Sequence, residues 1–387
     1  MAQEEGSSPA VATEDLMNKL AGIQPDAPLA EVRARRPDVV IHTQGSYDTL
    51  LAPADTADLT LAERALAALR VAWLTPNGTL IHHYQKRLAQ LEVADATVAA
   101  VTAFPAGAPL EPRLVAILHH VDRLTLEPVT ATAAHVAALR AAGLSVRAIV
   151  ALSQLIAFVS YQARVLSALH LLDAPSAAGG AEGPQQPPRA PLADGSSVHH
   201  WTMEALDWAA WLPTLDIAAA TPAQIAVLEE STPTAKSSPY YLLLVQEVDA
   251  LRERSKLYNA IMYGPRGLRR ADRELGAVAT SRVNGCVYCA SVHAQRYSQL
   301  TKQPEVIQHI FDEGIGAELE PRQRAVVAYA AQLTRTPAQM TPADLAPLRA
   351  EGLDDGDILD LTNAVAMFAW ANRLMLTLGE PVHKAVT

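Results

Sequence analysis

The chain has almost no cysteine: two thiols in 387 residues, at positions 286 and 289. A disulfide framework is thereby excluded, and a lone C-x-x-C points instead to redox or metal chemistry. A closed structural zinc site needs four ligands, and no second C-x-x-C or H-x-x-x-H is there to complete one. Aromatic residues make up only 5% and β-branched residues other than Val are sparse, whereas Ala and Leu dominate, a balance that favours helix over sheet. No basic block and no aromatic–basic interleaving is present, and 31 basic against 41 acidic residues leave a net charge of −10. Nucleic acid is not expected as a partner.

Long hydrophobic runs are also missing. The longest uncharged apolar stretch, Ala148 to Ala163, is closed off by Arg147 and Arg164 and falls short of the ~18 residues that suggest a membrane span. It reads as a buried core helix, and no membrane association is expected. The opening MAQEEGSSPAVATEDLM is acidic and has neither the basic nor the apolar region of a signal peptide, so a cytoplasmic location is expected.

At ~150 residues per domain the length allows two or three domains. The segment from Asp173 to Ser197 is dense in Gly, Pro, Ala and Ser and reads as a linker. The sequences on either side are copies. Glu111-Pro112-Arg113 recurs as Glu320-Pro321-Arg322, a displacement of 209, and the same displacement carries Leu124-Thr125 onto Leu333-Thr334. Without a gap it then carries Pro128 onto Pro337, Gly143-Leu144 onto Gly352-Leu353, Ile149 onto Ile358, Leu152 onto Leu361 and Arg164 onto Arg373. A unit this long means duplication of a whole domain rather than a solenoid. The expected organisation is 1–172, a linker 173–197, and 198–387.

Within the copies the periodicity is helical. PRQRAVVAYAAQLT puts Val326, Val327, Ala330 and Leu333 on one face behind an N-terminal Pro, and TPADLAPLRAEGL has a Thr cap and ends at Gly352, where a left-handed cap belongs. The expected fold is all-α, two bundle-like domains in tandem. Trp201, Trp208 and Trp211 fall at the spacing of one helical face with Leu212 and Leu215 and are expected to pack under the linker. The doublets His119-His120 and His199-His200 are expected to be core or surface histidines, since neighbours on a helix point about 100° apart.

The thiols sit in ELGAVATSRVNGCVYCASVH, Glu274 to His293. On one unbroken helix Glu274 would lie about 18 Å from Cys286, at ~1.5 Å per residue. Asn284-Gly285 is a strong turn signal, however, so one helix should end there and a second begin at the cysteines, letting the two fold back on each other. On the second helix Cys286, Cys289 and His293 share a face. The helix start favours thiolate, which argues for Cys286 as the more acidic sulfur, whereas a base one turn behind Cys289 argues for that one. The histidine carries more weight, because it can also deliver the proton a leaving group needs.

This arrangement, Glu274, eleven residues, Cys286-x-x-Cys289, three residues, His293, resembles the signature of the alkylhydroperoxidase D and carboxymuconolactone decarboxylase-like superfamily. The resemblance covers the second copy from about Leu257 to Leu378. It implies an all-helical, oligomeric protein that reduces hydroperoxides with thiols and no cofactor. Cys289 would be the peroxidatic thiol, Cys286 the resolving one, and His293 with Glu274 a proton relay. The partners implied are a hydroperoxide substrate and an external dithiol reductant such as a lipoyl or thioredoxin-type protein. Tyr288 stands where some members carry a second histidine, and a phenol is a poor base at neutrality. In the first copy Ala65, Asn77, Leu80 and Tyr84 occupy the four positions, with His83 reachable by a one-residue gap, so that copy is expected to be structural. The alternatives are a dithiol–disulfide oxidoreductase, a non-peroxidase carboxymuconolactone decarboxylase-like enzyme, and a non-enzymatic redox sensor.

Overall fold

The computed structural model describes residues 15–173 and 200–383, so the segment read as a linker lies outside the described residues except at Asp173. The first copy runs α1 (Leu16–Ala21), α2 (Pro28–Ala34), α3 (Pro37–Leu51), α4 (Leu61–Leu74), α5 (Gly78–Gln90), α6 (Asp95–Ala103), α7 (Pro112–Leu126), α8 (Ala133–Ala141) and α9 (Val146–Leu172). The second runs α10 (Pro222–Ser231), α11 (Pro239–Leu244), α12 (Val248–Tyr263), α13 (Arg270–Asn284), α14 (Val287–Thr301), α15 (Pro304–Glu313), α16 (Pro321–Arg335), α17 (Pro342–Ala350) and α18 (Asp355–Thr377). From Leu61 onward each helix start in the first copy meets its counterpart at a displacement of 209. The repeat seen in the sequence is thus a repeat of helices in register.

Local chemistry sets the boundaries. Pro opens α7 and α16 at a position whose N–H has no helical partner in any case. Thr341 and Asp344 close a capping box at the start of α17, and Gly352 after it takes a left-handed φ of 79°. One feature departs from an all-helical reading. Asp207–Ala210 (β1) pairs antiparallel with Gly379–Val382 (β2), Asp207 opposite Val382 and Ala210 opposite Gly379. Trp208 therefore lies in a strand and not on the helical face its spacing with Trp201 and Trp211 suggested. Its indole N–H donates to Met375 O at 3.0 Å, and its ring lies so close to Gly379 that a Cβ there would sit 2.3 Å from it. A four-residue ribbon is too short to show period-two alternation in the sequence.

The core is built on α9 and α18, the two long helices, which pack against each other. Helix α9 is long and apolar enough to cross a membrane, but its most apolar stretch is wholly buried inside the protein. The contact between the copies is reciprocal. Arg164 donates to Thr334 O at 2.6 Å and Arg373 to Thr125 O at 3.0 Å, and Thr125 and Thr334 are themselves equivalent. Each arginine also holds the carbonyl one turn back on its own helix, Ser160 and Ala369. Such paired contacts are the mark of a two-fold, isologous interface, here within one chain. Between the arginines Trp370 donates to Gln154 at 2.9 Å and meets Phe158 edge-on at 5.2 Å, while Tyr161 donates to Asn363 at 2.8 Å. One apolar cluster runs through both copies, and a second fills the bundle of α13 to α18. At ~25 cal/mol per Å² of apolar surface, each fully buried Leu or Ile in that shared cluster contributes about 2 kcal/mol.

Candidate active site

Helix α13 ends at Asn284 with Gly285 in the left-handed region, φ 77°, and α14 starts two residues later. The Asn-Gly turn does what its chemistry suggested: it reverses the chain so that α13 and α14 lie side by side. Glu274 on α13 thereby reaches His293 on α14, Oε2 to Nδ1 at 2.5 Å. Only 1% of the Glu274 side chain is exposed. Its other oxygen accepts from Arg270 Nε at 3.1 Å, one turn back on the same helix. Burial alone would lift the Glu274 carboxyl; the charge and hydrogen bond of His293, then those of Arg270, outweigh it and hold the carboxyl below its usual range. His293 packs edge-on against Phe368 of α18, with ring centroids 4.3 Å apart. A carboxylate on Nδ1 fixes the ring and leaves Nε2 as the working nitrogen.

Both cysteines are reduced and buried. Cys286 caps α14, its own N–H donating to Ser281 O at 2.9 Å. Burial pushes the Cys286 thiol well up, and the neighbouring Cys289 sulfur adds to that, while the Cys289 backbone and the Asn372 amide pull the other way and lose. The helix-start argument for Cys286 as the more acidic thiol is thus outweighed by desolvation. Asn372 is pinned in turn: it accepts from Asn284 Nδ2 at 3.0 Å and donates to Ser281 Oγ at 3.0 Å. Tyr288 is half-buried, and burial followed by the charges of Cys289 and other neighbours raises its phenol to about 12. At neutral pH it can donate a hydrogen bond but cannot act as a base.

The structure therefore joins Glu274 to His293 across α13 and α14, and sets Cys286, Cys289 and Tyr288 together at the start of α14, with α18 meeting the first group through Phe368 and the second through Asn372. It adds Arg270, Phe368 and Asn372. Arg270 was visible in the sequence as an i, i+4 partner of Glu274. Phe368 and Asn372 had no local signal, because they arrive on a helix more than 70 residues downstream.

The first copy has the same scaffold and different chemistry. Asn77 caps α5 where Cys286 caps α14, accepting from Leu80 N at 3.0 Å. Ala65 and Leu80 are fully buried, and Tyr84 donates to Gln162 at 2.6 Å. With α5 and α14 in gap-free register, the counterpart of His293 is Tyr84. His83 instead bonds Tyr47 at 2.9 Å, and burial lowers it to about 4. His120 is a core residue, bonded to Ser153 at 2.9 Å and lowered by burial to about 3, and His119 packs edge-on against Phe104.

Residues 249–332 match the Carboxymuconolactone decarboxylase family, a span that includes Glu274, Cys286, Cys289 and His293. Two solved structures are similar. One, an uncharacterized peroxidase-related protein from Silicibacter sp. TM1040, is 28% identical over 43% of this chain and 92% of its own, with a TM-score of 0.36. The other, described as an alkylhydroperoxidase AhpD core and an uncharacterized peroxidase-related protein from Ralstonia eutropha JMP134, is 28% identical over 42% of this chain and 86% of its own, with a TM-score of 0.38. No curated protein matches the chain. The match to residues 249–332 agrees with the resemblance read from the motif to the alkylhydroperoxidase D and carboxymuconolactone decarboxylase-like superfamily.

Proposed function

We propose that the chain is a thiol-dependent hydroperoxide reductase. The observation that carries the reading is the buried Glu274–His293 pair at 2.5 Å, with two reduced cysteines at the start of the helix that bears His293. The Cys289 thiol gives its proton to His293, and the thiolate attacks the terminal oxygen of the hydroperoxide. The O–O bond breaks, His293 returns the proton to the departing alkoxide, and the products are an alcohol and Cys289 sulfenic acid. The Cys286 sulfur then displaces hydroxide, which leaves as water with the Cys286 proton, and the disulfide forms. Two electrons and two protons from an external dithiol restore both thiols.

Roles follow from environment. A thiol raised by burial reacts slowly with peroxide but serves as a resolving group once a sulfenic acid lies next to it, which suits Cys286. Glu274 fixes the ring of His293 and stabilises its cation. Tyr288 can donate a hydrogen bond to the departing oxygen while His293 supplies the proton. The reducing cytoplasm would keep such a pair reduced between turnovers, and the reductant would need a slender reach, as a lipoyl arm has, to meet sulfurs this buried. A dithiol–disulfide oxidoreductase acting on folded proteins is disfavoured by the same burial, because Cys286 is 1% and Cys289 4% exposed.

Stopped-flow oxidation of the reduced protein by hydrogen peroxide and by an organic hydroperoxide tests the reading. Wild type should lose two protons in intact mass after one equivalent. Cys289→Ser should not consume peroxide, whereas Cys286→Ser should undergo the first oxidation and stop at sulfenic or sulfinic acid. Peroxide consumption that survives in Cys289→Ser would overturn the assignment.

A further inference from the structure

Arg254, on α12, is 3% exposed; its Nε is buried without a hydrogen-bond partner, and among the described residues no oxygen pairs with its guanidinium. Every other buried arginine among the described residues holds one: Arg33 has Asp15, Arg70 has Asp122, and Arg64, Arg164, Arg273, Arg282 and Arg373 hold backbone carbonyls. The Arg254 guanidinium instead lies over two rings, Tyr240 at 5.6 Å and Trp370 at 5.7 Å. Ring faces attract a cation, but less than water or a carboxylate does. Tyr240, 4% exposed, is the second anomaly: its hydroxyl is buried and bonded to nothing.

Both groups face the dithiol side of the molecule. Helix α18 passes Trp370 to Arg254, Asn372 to Cys286, and the Met375 carbonyl to Trp208, whose ring meets Tyr240 edge-on at 5.6 Å. Tyr240 and both cysteines belong to one apolar cluster, and the two sulfurs are close enough to raise the phenol's pKa, after burial. The first copy has no such pair. Its α3, the counterpart of α12, contains no arginine, and its α2, the counterpart of α11, contains no tyrosine. Among the described residues, this unpaired cation and unpaired phenol occur together only in the copy that carries the thiols.

We propose that Arg254 and Tyr240 form a carboxylate-binding subsite beside Cys286 and Cys289, so that the substrate is an organic hydroperoxide bearing a carboxylate. This rests on the peroxide reading for its chemistry and adds the substrate class. A water molecule could accept the phenol's hydrogen bond, but it would leave the guanidinium charge uncompensated; a carboxylate satisfies both.

The test compares a hydroperoxyhexanoic acid with its methyl ester as oxidants of the reduced full-length protein, in wild type, Arg254→Met and Tyr240→Phe. Loss of a charge-assisted contact predicts that wild type prefers the acid by about ten- to hundredfold in second-order rate constant. The acid-to-ester ratio should fall to near one in Arg254→Met and to an intermediate value in Tyr240→Phe. If Arg254→Met does not fold, Arg254→Lys, which keeps the charge, should retain part of the preference. Equal rates for acid and ester in wild type would overturn the subsite while leaving the peroxide reading intact. If neither compound oxidises Cys289, the peroxide reading fails and a second measurement judges the subsite alone. Hexanoate, and not methyl hexanoate, should raise the thermal midpoint of wild type, and Tyr240→Phe should lessen the rise. No rise with hexanoate would overturn the subsite.

Discussion

Glu274→Gln removes one charge and almost no volume from the centre of the site. The carboxylate accepts from His293 Nδ1 at 2.5 Å and from Arg270 Nε at 3.1 Å, and it is held below its usual range by those two neighbours against the opposing effect of burial. A glutamine can keep one of these contacts. It cannot stabilise an imidazolium, and its NH₂ end, if turned toward His293, would force the wrong tautomer. General acid–base pairs of this type contribute about 10²- to 10⁴-fold, so the second-order rate constant for oxidation of Cys289 should fall by that range, or about 3–5 kcal/mol of barrier. Stopped-flow intrinsic fluorescence under pseudo-first-order peroxide reads the rate, and circular dichroism with a thermal midpoint checks that the helices persist. A variant that reacts within about threefold of wild type, with the fold intact, would refute the relay.

The same substitution has a second readout with a definite sign. A carboxyl whose folded pKa is depressed contributes stability that is fully present above its unfolded value, here the ordinary 4.5, and loses it as pH falls through the lower folded value. Wild type should therefore lose stability on acidification below about pH 4.5, and Glu274→Gln should show a shallower acid limb in urea denaturation followed across pH.

Other perturbations test the scaffold. Arg164→Met and Arg373→Met each remove hydrogen bonds from a cation to helix carbonyls, and each should lower the urea midpoint by an amount equivalent to about 2–4 kcal/mol, with similar values because the contacts are reciprocal. A protease site placed between Asp173 and His200 and then cut should leave the halves co-eluting in size-exclusion chromatography, since one core runs through both. The fragment Val198–Thr387 expressed alone should aggregate or self-associate, because it exposes the face of α18 that packs on α9. Gly285→Ala forces a side chain into φ 77° and should lower stability by about 1 kcal/mol and slow the Cys289 reaction by re-aiming the cysteines, measured by thermal scanning and stopped flow.

What could be read in the sequence was local or repeated. Asn284-Gly285 marks a turn by its own chemistry, and Glu274, Cys286, Cys289 and His293 lie on the two arms of that turn, so a short stretch of chain contains most of the candidate site. The displacement of 209 needs no structure either, because Arg164 and Arg373 match as letters before they match as contacts. Hidden from it was whatever depends on packing between distant segments. Asn372 reaches Cys286 from a helix 86 positions further along, and Arg254 lacks a counter-ion only in relation to everything folded around it. The acidity of Cys286 belongs to the same class. A helix start is legible as a reason for a low pKa, but the burial that reverses it is a property of the assembled core.

The duplication makes the two copies a control for each other. Ala65, Asn77, Leu80 and Tyr84 occupy the same positions of the same helices as Glu274, Cys286, Cys289 and His293, and the first copy packs its core without a charge at any of them. The fold therefore does not require a buried carboxylate, an imidazole or thiols there. Burying a carboxylate opposes folding unless it is paired, and a pair buried this deeply is often no better for stability than apolar residues of the same size. Stability is thus a weak reason for Glu274 and His293 to stand where an alanine and a tyrosine suffice. Chemistry at the adjacent sulfurs is the stronger one, and the same comparison extends to Arg254 and Tyr240, which have no counterparts in the helices of the copy without thiols.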